Sequence, residues 1–408
     1  MKVRLTLVAV ALTALVAAGC GSSSNSSSSS APAATSSSAA AAGTSSASAG
    51  KSCKAAIAIE GPFTGPVAQV GLEQLHFAQL AVQMDNKANG TDVTMAQDDT
   101  QLTPSLATQK TQAIISSDAV AAVGPAGSQE VEAVGPLFGR AGLAFITGSA
   151  TLPALTTDGK NPTFLRVVPN DNIQGPQDAN YVINHLHPKA VLVIDDDEAY
   201  SQGLVKTMIP IFQKAGIKVN HQTINGTDTG ATLANAINSL VTSKLTADET
   251  VTMLPWQAAA NAQQFGLAAQ QQHKKTILFG TDGTNSPSQF KIPGTYVSNF
   301  GPDISASSSA LDKSLVSGVA QFGPYGAFGV PTYEATDVEM KAIASVCKSG
   351  GTPSRANVLA AIRKTNIAPA ANPLGVQVAF KSNGDIVGQP GYLFKIESGG
   401  KYVTIPNK

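Results

Sequence analysis

The 408-residue chain is poor in charged residues, and neither sign of charge predominates. Only 13% of its residues are charged, and lysine plus arginine matches aspartate plus glutamate at 27 each, so the formal net charge is zero. No basic run or stripe is present, which argues against nucleic acid as a partner. Beyond the N-terminal region, no apolar run is long enough to cross a membrane.

The residue patterns of catalysis and of metal binding are missing as well. The 5 histidines are scattered without metal-ligand spacing, and the sequence has no HExxH motif and no nucleophile elbow. The acidic run 195–198 lacks the alternating oxygen ligands and the glycine turn of a calcium loop, so we interpret it as a solvated loop at a strand end. We therefore predict no metal, no cofactor and no enzymatic activity.

The N-terminal residues have the order of a secretory signal peptide. Two basic residues precede an uncharged apolar run, 5–16, which is too short to span a bilayer. Small residues at 17–19 then lead to Cys20, an arrangement that resembles a lipoprotein box, where the thiol takes a diacylglycerol and the peptide is cut before it. We predict a signal peptide at 1–19 and lipidation of Cys20; the alternative is an ordinary signal peptide with an incidental cysteine.

The next segment, 20–50, is predicted to be a flexible tether. After Cys20 it consists almost wholly of serine, alanine, glycine and threonine and carries no charge, so it cannot bury enough apolar surface to offset its chain entropy. A coil of this length spans about 30 Å. The remaining residues, 51–408, exceed the size of about 250–300 residues at which one core stops growing, so two lobes are expected.

Strand and helix patterns alternate through this remainder, which predicts an α/β fold with parallel sheets covered by helices on both faces. Short apolar runs typical of buried strands lie at 55–59, 93–95, 119–123, 144–147, 190–194, 250–254, 276–279 and 294–298. Helical spacing of apolar residues occurs at 69–86, 104–116, 129–140, 174–185, 202–215, 230–242 and 258–270. The tail predicts a hairpin or meander of antiparallel strands at 376–380, 392–396 and 402–405, with a turn at 383–384.

Four loops that follow predicted strands carry candidate ligand groups. The loop 61–69 is rich in glycine and proline but has neither of the nucleotide-binding glycine motifs. The loops 124–128 and 147–151 place hydroxyls and free backbone N–H groups at helix N-termini, which suits an anion such as a carboxylate; plain helix capping is the alternative. Asp282, in the fourth loop, could take an ammonium or could simply be a turn residue.

Two cysteines besides Cys20 remain. Cys53 stands at the start of the fold and Cys347 near the end of a helical run. In an oxidising exterior they could form a disulfide that ties the first strand to that helix, which we favour; two buried free thiols are the alternative.

The quoted loops and several further segments resemble the leucine/isoleucine/valine-binding proteins, the extracytoplasmic solute receptors of branched-chain amino-acid ABC transporters. The similar segments are IEGPFTGPVAQ (59–69), VGPAGS (123–128), ITGSAT (146–151), LRVVPNDNIQG (165–175), DDDEAYSQGL (195–204) and FGTDG (279–283). The resemblance implies a type I periplasmic-binding fold: two doubly wound parallel-sheet lobes joined by a three-segment hinge. It places lobe 1 at 51–170 plus 301–371 and lobe 2 at 171–300 plus 372–408, with crossings near 169–175, 300–303 and 369–374.

The resemblance also implies roles for six residues. On lobe 1, Ser128, Ser149 and Thr151 match groups that hold a ligand α-carboxylate. On lobe 2, Asp282 matches the acidic residue on the α-ammonium, Tyr200 an aromatic that closes over the ligand, and Trp256 an aromatic that lines the pocket, although a half-exposed loop tryptophan is the alternative.

Some positions depart from the family pattern. Val70 and Ala126 are small and Trp256 is large, so the side-chain pocket is not predicted to be identical to that of the family. The expected function is capture of an amino acid or close analogue for delivery to the membrane subunits of an ABC transporter. The alternatives are a receptor for another small carboxylate or amide, and a lipoprotein that senses a ligand for a signalling partner.

Overall fold

The computed structural model describes residues 53–246, 248–388 and 391–406. Residues 51–408 form one compact unit. The predicted signal peptide, the lipidation of Cys20 and the tether lie outside the described residues. Within the described ranges, no helix combines the length and apolar character needed to cross a membrane.

The described residues alternate between strands and helices for most of their length. The strands are β1 (Cys53–Gly61), β2 (Thr91–Asp99), β3 (Ala119–Val123), β4 (Ala144–Thr147), β5 (Phe164–Arg166), β6 (Ala190–Asp195), β7 (Lys218–Thr223), β8 (Glu249–Leu254), β9 (Ile277–Gly280), β10 (Tyr296–Asn299), β11 (Asn366–Ile367), β12 (Val378–Ala379), β13 (Tyr392–Ile396) and β14 (Tyr402–Ile405). The helices are α1 (Ala68–Asn89), α2 (Pro104–Ser116), α3 (Ser128–Ala141), α4 (Ala154–Thr157), α5 (Asp171–Tyr181), α6 (Ala199–Lys214), α7 (Gly230–Ser243), α8 (Ala259–Gln271), α9 (Ala310–Val319), α10 (Gly329–Lys348) and α11 (Arg355–Ile362).

The first lobe is built on a parallel sheet of order β2-β1-β3-β4-β5. Every residue of β3 and β4 is buried, because helices cover both faces of the sheet. One face packs on α1, α9, α10 and α11. The other packs on α2 and α3. There the Phe145 ring lies between those of Phe138 and Phe164 in tilted contacts, with ring centroids 4.7 and 5.1 Å apart.

The second lobe has a sheet of order β14-β13-β10-β9-β8-β6-β7. Its strands β6 to β10 are parallel, and β13 and β14 join antiparallel at one side. Helices α7 and α8 cover one face and α5 and α6 the other. The predicted fold class, two wound α/β lobes, is therefore confirmed. Of the predicted C-terminal strands, 392–396 and 402–405 pair antiparallel, whereas β12, within 376–380, pairs with β11 in a separate two-stranded sheet.

The chain passes between the sheets three times. It leaves the first sheet after Arg166 and returns after Asn299, and at these crossings Val168 and Phe300 pack with Phe328 in a small apolar cluster. The third crossing differs from the prediction of 369–374. Leu374, Val378 and Ile386 pack in the core of the first lobe, so residues 372–388 belong there, and the chain enters the second sheet only between Ile386 and Tyr392.

A disulfide fastens the first strand of the first lobe. The Sγ atoms of Cys53, at the start of β1, and Cys347, near the end of α10, are 2.07 Å apart. The chain enters the cleft between the lobes at Gly61, the last residue of β1. The bond lies at the opposite end of this strand. It therefore connects two elements of the same lobe and leaves the cleft untouched.

Candidate functional site

A cavity lies between the two lobes, at the carboxyl ends of their parallel strands, where α/β sheets place ligands. Its volume is about 40 Å³. Ser128 and Ser149 line it from the first lobe, and Tyr200 and Asp282 from the second. Four of the six predicted ligand-binding residues are thus brought together.

The first-lobe wall begins with the loop after β3. Gly124 has a φ of +93°, and a Cβ atom there would stand 2.2 Å from the backbone oxygen of Glu60, so only glycine lets the two loops approach this closely. The loop delivers Ser128 to the start of α3. There Glu130 accepts a hydrogen bond from the Gly127 N–H at 2.9 Å, and the Ser128 Oγ accepts one from the Leu152 N–H at 3.3 Å. The positive end of the α3 dipole points to the cavity side of this loop.

Ser149 is held in place by several hydrogen bonds. Its hydroxyl donates to the Ala126 carbonyl at 2.8 Å and accepts from the Gln74 amide at 2.8 Å. The Thr147 hydroxyl accepts from the backbone N–H groups of Ser149 and Ala150 at 3.2 and 3.1 Å. The two loops of the first-lobe wall are therefore joined by hydrogen bonds. Gln74 and Thr147 hold them in place, and neither was predicted from the sequence.

Thr151 and Trp256 do not line this cavity, in contrast to the prediction. Thr151 is fully buried beneath the loop, and its carbonyl accepts the Asp171 N–H at 3.0 Å. Trp256 is packed in the core of the second lobe, edge-on to Phe265 with ring centroids 5.9 Å apart. The neighbouring Gln257 lines the cavity instead, because side chains alternate in direction where β8 ends.

The second-lobe wall is organised around the Asp282 carboxyl group. Its Oδ1 accepts hydrogen bonds from the Tyr200 hydroxyl at 2.6 Å and from the Gln174 amide at 2.6 Å. The Tyr200 oxygen in turn accepts the Gly283 N–H at 3.1 Å and lies 2.8 Å from the Thr281 hydroxyl. Gln174 was missed as a site residue, although it lies inside the quoted segment 165–175.

This wall is acidic. Burial raises the pKa of Asp282 to about 6, and the hydrogen bonds from Tyr200 and Gln174 oppose that rise. Behind it on α5, burial raises the pKa of Asp171 to about 7 and that of Asp178 well above its ordinary value. Burial raises the pKa of Tyr200 as well, so its phenol stays protonated and donates to Asp282. A cationic group placed at Asp282 would relieve this accumulation of buried carboxyls.

The rest of the lining is apolar. It is formed mainly by Pro62, Val67, Val70, Leu102, Ala126 and Phe328. The predicted specificity positions Val70 and Ala126 are among them, whereas Leu102 and Phe328 were not anticipated. In the described part of the chain, no group of three or more histidine, cysteine, aspartate or glutamate side chains could hold a metal ion.

The lobes are in contact beside the cavity. The Gln129 and Gln257 side-chain amides exchange hydrogen bonds at 3.0 and 3.2 Å, and the Ser286 hydroxyl donates to the Gln69 Oε1 at 2.6 Å. Both pairs join a first-lobe residue to a second-lobe residue. The two lobes are therefore held together by hydrogen bonds at the side of the cavity.

Two α/β lobes with a cleft at the carboxyl ends of their strands define the type I periplasmic-binding fold. The structure of the branched-chain amino acid transporter substrate binding protein LivJ from Streptococcus pneumoniae, in complex with isoleucine, has a TM-score of 0.72 at 21% identity, covering 86% of this chain and 100% of that one. A solute binding protein of an ABC transporter from R. palustris, in complex with benzoate, also has a TM-score of 0.72, at 18% identity, covering 87% of this chain and 96% of that one.

The sequence comparison agrees with the fold. The profile of the family described as periplasmic binding protein matches residues 54–401, and the chain belongs to this family.

Curated relatives share part or most of this length. The Leu/Ile/Val-binding protein BraC3 of Rhizobium johnstonii is 27% identical over 361 residues, covering 84% of this chain and 92% of the relative. The leucine-, isoleucine-, valine-, threonine-, and alanine-binding protein of Pseudomonas aeruginosa is 30% identical over 166 residues, a match that spans 40% of this chain and only 44% of that relative. These relatives are binding proteins, in agreement with the expectation that the chain is a binding protein and not an enzyme.

Proposed function

We propose that this protein captures an amino acid or a close analogue in the cavity between its lobes and delivers it to an ABC transporter. One observation carries the proposal: the two walls of the cavity have opposite electrostatic character. The first-lobe wall presents a helix N-terminus and hydroxyls, and the second-lobe wall presents the buried carboxyl of Asp282. A zwitterion bridging the walls would match both.

The α-carboxylate would sit on the first lobe. The start of α3 leaves backbone N–H groups without acceptors inside the helix, and these groups bind anions. The Ser128 hydroxyl stands beside them: it accepts the Leu152 N–H and can donate its own proton to the carboxylate. Ser149 already donates to the Ala126 carbonyl and would act by holding the loop in position. Because these groups are already oriented, a carboxylate would be held with little reorganisation of the wall.

The α-ammonium would sit on the second lobe. Ionised Asp282 is almost fully buried, at 2% exposure, and a buried carboxylate is stabilised by a cation within hydrogen-bond distance. Tyr200 and Gln174 both donate to its Oδ1 and so fix the plane of the carboxyl group. Ligand binding is therefore expected to lower the pKa of Asp282.

The side chain would contact the apolar part of the lining. Valine, leucine, alanine, proline and phenylalanine side chains surround this space and offer an aliphatic group no polar partner. The relatives named above bind leucine, isoleucine and valine, as their names state. An aliphatic amino acid is accordingly the first ligand to test.

The location follows from the N-terminal sequence. Lipidation at Cys20 and a tether to residue 50 would hold the receptor on the outer face of the cell membrane, close to the transporter subunits that accept its ligand. Closure of the lobes over the ligand would produce the form that those subunits recognise.

Calorimetric titration with L-leucine and two truncated analogues tests the proposal. 4-Methylpentanoate lacks the ammonium of leucine, and 3-methylbutylamine lacks the carboxylate. We expect measurable binding by L-leucine, L-isoleucine or L-valine and at least about tenfold weaker binding by both truncated analogues, since each leaves one wall unpaired. Equal binding of 4-methylpentanoate and L-leucine would overturn the amino-acid assignment.

Substitution of Asp282 gives an independent test. Asp282→Asn keeps the shape of the side chain but removes its charge, so affinity for the amino acid should fall by about tenfold or more, while affinity for 4-methylpentanoate should not fall. The matched control is Asp118→Asn, which removes a carboxylate from an exposed position outside the cavity and should leave both affinities unchanged.

A carboxylate without an ammonium is the second candidate ligand. The raised pKa of Asp282 favours it, because near pH 6 part of the carboxyl is protonated and can face a neutral or aromatic group. The benzoate bound in a structural neighbour favours it as well. In that case benzoate would bind more tightly as the pH falls from 7 to 5, whereas an amino acid would bind more weakly.

A further inference from the structure

A second and larger cavity lies between the lobes. Its volume is about 740 Å³. One side is formed by the face of α1 that carries Gln69, Leu72, Glu73 and His76, residues at helical spacing. The opposite side is formed by second-lobe residues, among them Asn285 and Tyr402. None of the ligand residues assigned above lines it.

The lining of this cavity contains buried hydrogen-bond donors that are not used. Asn299 is 3% exposed, and within the described residues its Nδ2 has no hydrogen-bond partner. The orientation of this amide is fixed, because its Oδ1 accepts the backbone N–H groups of Phe300 at 2.8 Å and Gly301 at 3.4 Å. The free atom is therefore a donor. Asn285 is also 3% exposed, and its Nδ2 likewise has no hydrogen-bond partner among the described residues.

Buried donors without acceptors destabilise a protein unless a partner reaches them. A ligand that satisfies Asn299 and Asn285 must offer acceptor oxygens. Lys401, exposed at the mouth of the cavity, adds a positive charge. Two acidic residues also line the cavity. Burial raises the pKa of Glu73 to about 7, so its carboxyl is partly protonated near neutral pH and repels an anion less than a fully ionised carboxylate. Asp303 is exposed, so solvent screens its charge.

The remainder of the lining is suited to a flat apolar group. Tyr325, Phe394 and Tyr402 contribute aromatic rings, and Leu72 contributes an aliphatic side chain that is 37% exposed. Aromatic side chains bind rings of a ligand in offset or edge-on contact. Unpaired amide donors and aromatic rings in one lining suit an aromatic molecule with an oxygen-bearing group.

We propose that this cavity, formed by α1, the loop 285–288, Asn299 and the C-terminal strands, is a second ligand site that binds a small aromatic carboxylate. The carboxylate oxygens accept from Asn299 and Asn285, and the ring packs among Tyr325, Phe394 and Tyr402. The site is separate from the amino-acid site, because the two cavities have no lining residue in common.

The probe for this site is 4-bromobenzoate, whose bromine can be located in crystals by anomalous scattering and whose binding in solution can be measured by calorimetry. We expect bromine density between α1 and Tyr402 and a Kd in the submillimolar to millimolar range. Density confined to the first cavity would overturn the proposal, and so would the absence of measurable binding in solution. 4-Bromobenzylamine, which carries a cation in place of the carboxylate, should not bind there.

Substitutions separate the two sites. Asn299→Asp retains the Oδ1 that accepts the two backbone N–H groups but replaces the free donor with an anionic oxygen, so affinity for 4-bromobenzoate at this site should fall by about tenfold or more. Asn225→Asp is the matched control, because Asn225 also uses its Oδ1 to accept a backbone N–H, that of Thr227 at 2.9 Å, but lies exposed and outside both cavities. It should change the affinity by less than about twofold.

A second variant covers the case in which Asn299→Asp does not fold. Lys401→Glu reverses a charge at the exposed mouth and should weaken 4-bromobenzoate by a few fold, whereas Lys218→Glu, on the exposed start of β7, should not. Asp282→Asn should leave the affinity of this site unchanged, so a failed amino-acid assignment would not be confused with a failure here. Unchanged binding in both Asn299→Asp and Lys401→Glu would refute the second site.

Discussion

The hydroxyl of Tyr200 donates to the Oδ1 of Asp282 at 2.6 Å, and both side chains are almost fully buried. Tyr200 stands in the first turn of α6, and Asp282 follows β9, so the hydrogen bond joins the start of a helix to a loop at the carboxyl edge of the second sheet. The phenol also accepts the Gly283 N–H at 3.1 Å. One hydroxyl thereby sets the position of the carboxyl group that faces the cavity.

Removal of this hydroxyl should weaken binding and lower the folding stability by a comparable amount of free energy. Tyr200→Phe leaves the ring in its apolar surroundings but removes the donor to Asp282 and the acceptor for Gly283. We expect amino-acid affinity to fall by about tenfold and the free energy of unfolding to fall by about 1–2 kcal/mol. Calorimetry and urea unfolding of the same preparations measure the two effects. A variant with full affinity would show that Tyr200 does not position Asp282.

The stability of the protein should increase as the pH falls from 8 to 5. Burial raises the pKa of Glu60 to about 8 and those of Glu73, Glu130 and Asp171 to about 7. Unfolded carboxyls titrate near pH 4. Between these limits the folded state holds more protons than the unfolded state, so the stabilisation is complete below the unfolded pKa and is lost as the pH rises through the folded pKa. Each pKa unit corresponds to about 1.4 kcal/mol.

Urea unfolding at pH 5.5 and pH 8 measures this dependence. Glu60→Gln provides the control, since its amide oxygen can still accept the Thr111 hydroxyl that donates to Glu60 at 2.8 Å. It should stabilise the protein at pH 8 relative to the native sequence and flatten the profile. A stability that rises from pH 5.5 to 8 would contradict the prediction.

A buried ion pair should be essential to the first lobe. The Arg166 guanidinium, with a fully buried side chain, donates to Asp385 at 2.7 Å, to the Thr156 hydroxyl at 2.7 Å and to the Leu152 carbonyl at 2.9 Å. Asp385→Ala leaves this cation without its counter-charge and should lower the free energy of unfolding by about 3–5 kcal/mol. The double variant Arg166→Met/Asp385→Ala should lose less than Asp385→Ala alone; a larger loss would contradict this account.

Loss of the disulfide should affect stability and not binding. Cys347→Ser removes the bond between β1 and α10 and should reduce the free energy of unfolding by about 2–4 kcal/mol. The bond lies at the end of β1 opposite to Gly61. At a rise of about 3.3 Å per residue, the strand places it about 26 Å from the loop that lines the cavity. Amino-acid affinity at 20 °C should therefore change by less than about twofold. A large loss of affinity would show that the bond does reach the cleft.

The central strands were predicted well from the sequence, because strands buried on both faces consist of continuous apolar runs. β3 and β4 were predicted with the bounds that the structure has. The edge strand β7 was missed, since all but one of its residues are polar and none is buried, and β5 was missed because it has only 3 residues. Pattern alone does not distinguish such strands from loops.

The site was predicted in part, for a different reason. The resemblance identified loops, and the loops do line the cleft, but it did not fix the direction of each side chain. Trp256 therefore lies in the core while Gln257 faces the cavity. The third crossing was misplaced because the proline-rich segment 369–374 has the composition of a connector, whereas Leu374 and Ile386 are fully buried in the first lobe.

The placement of Cys53 has a mechanical consequence. β1 is bonded through Cys53 to α10 of the same lobe, so tension applied to the chain upstream of this residue is carried into the first lobe and stops there. The second lobe lies outside this path, because both cysteines of the bond belong to elements of the first lobe. A receptor pulled from its N-terminal side would therefore be restrained at one lobe while the other stays free to rotate and to close.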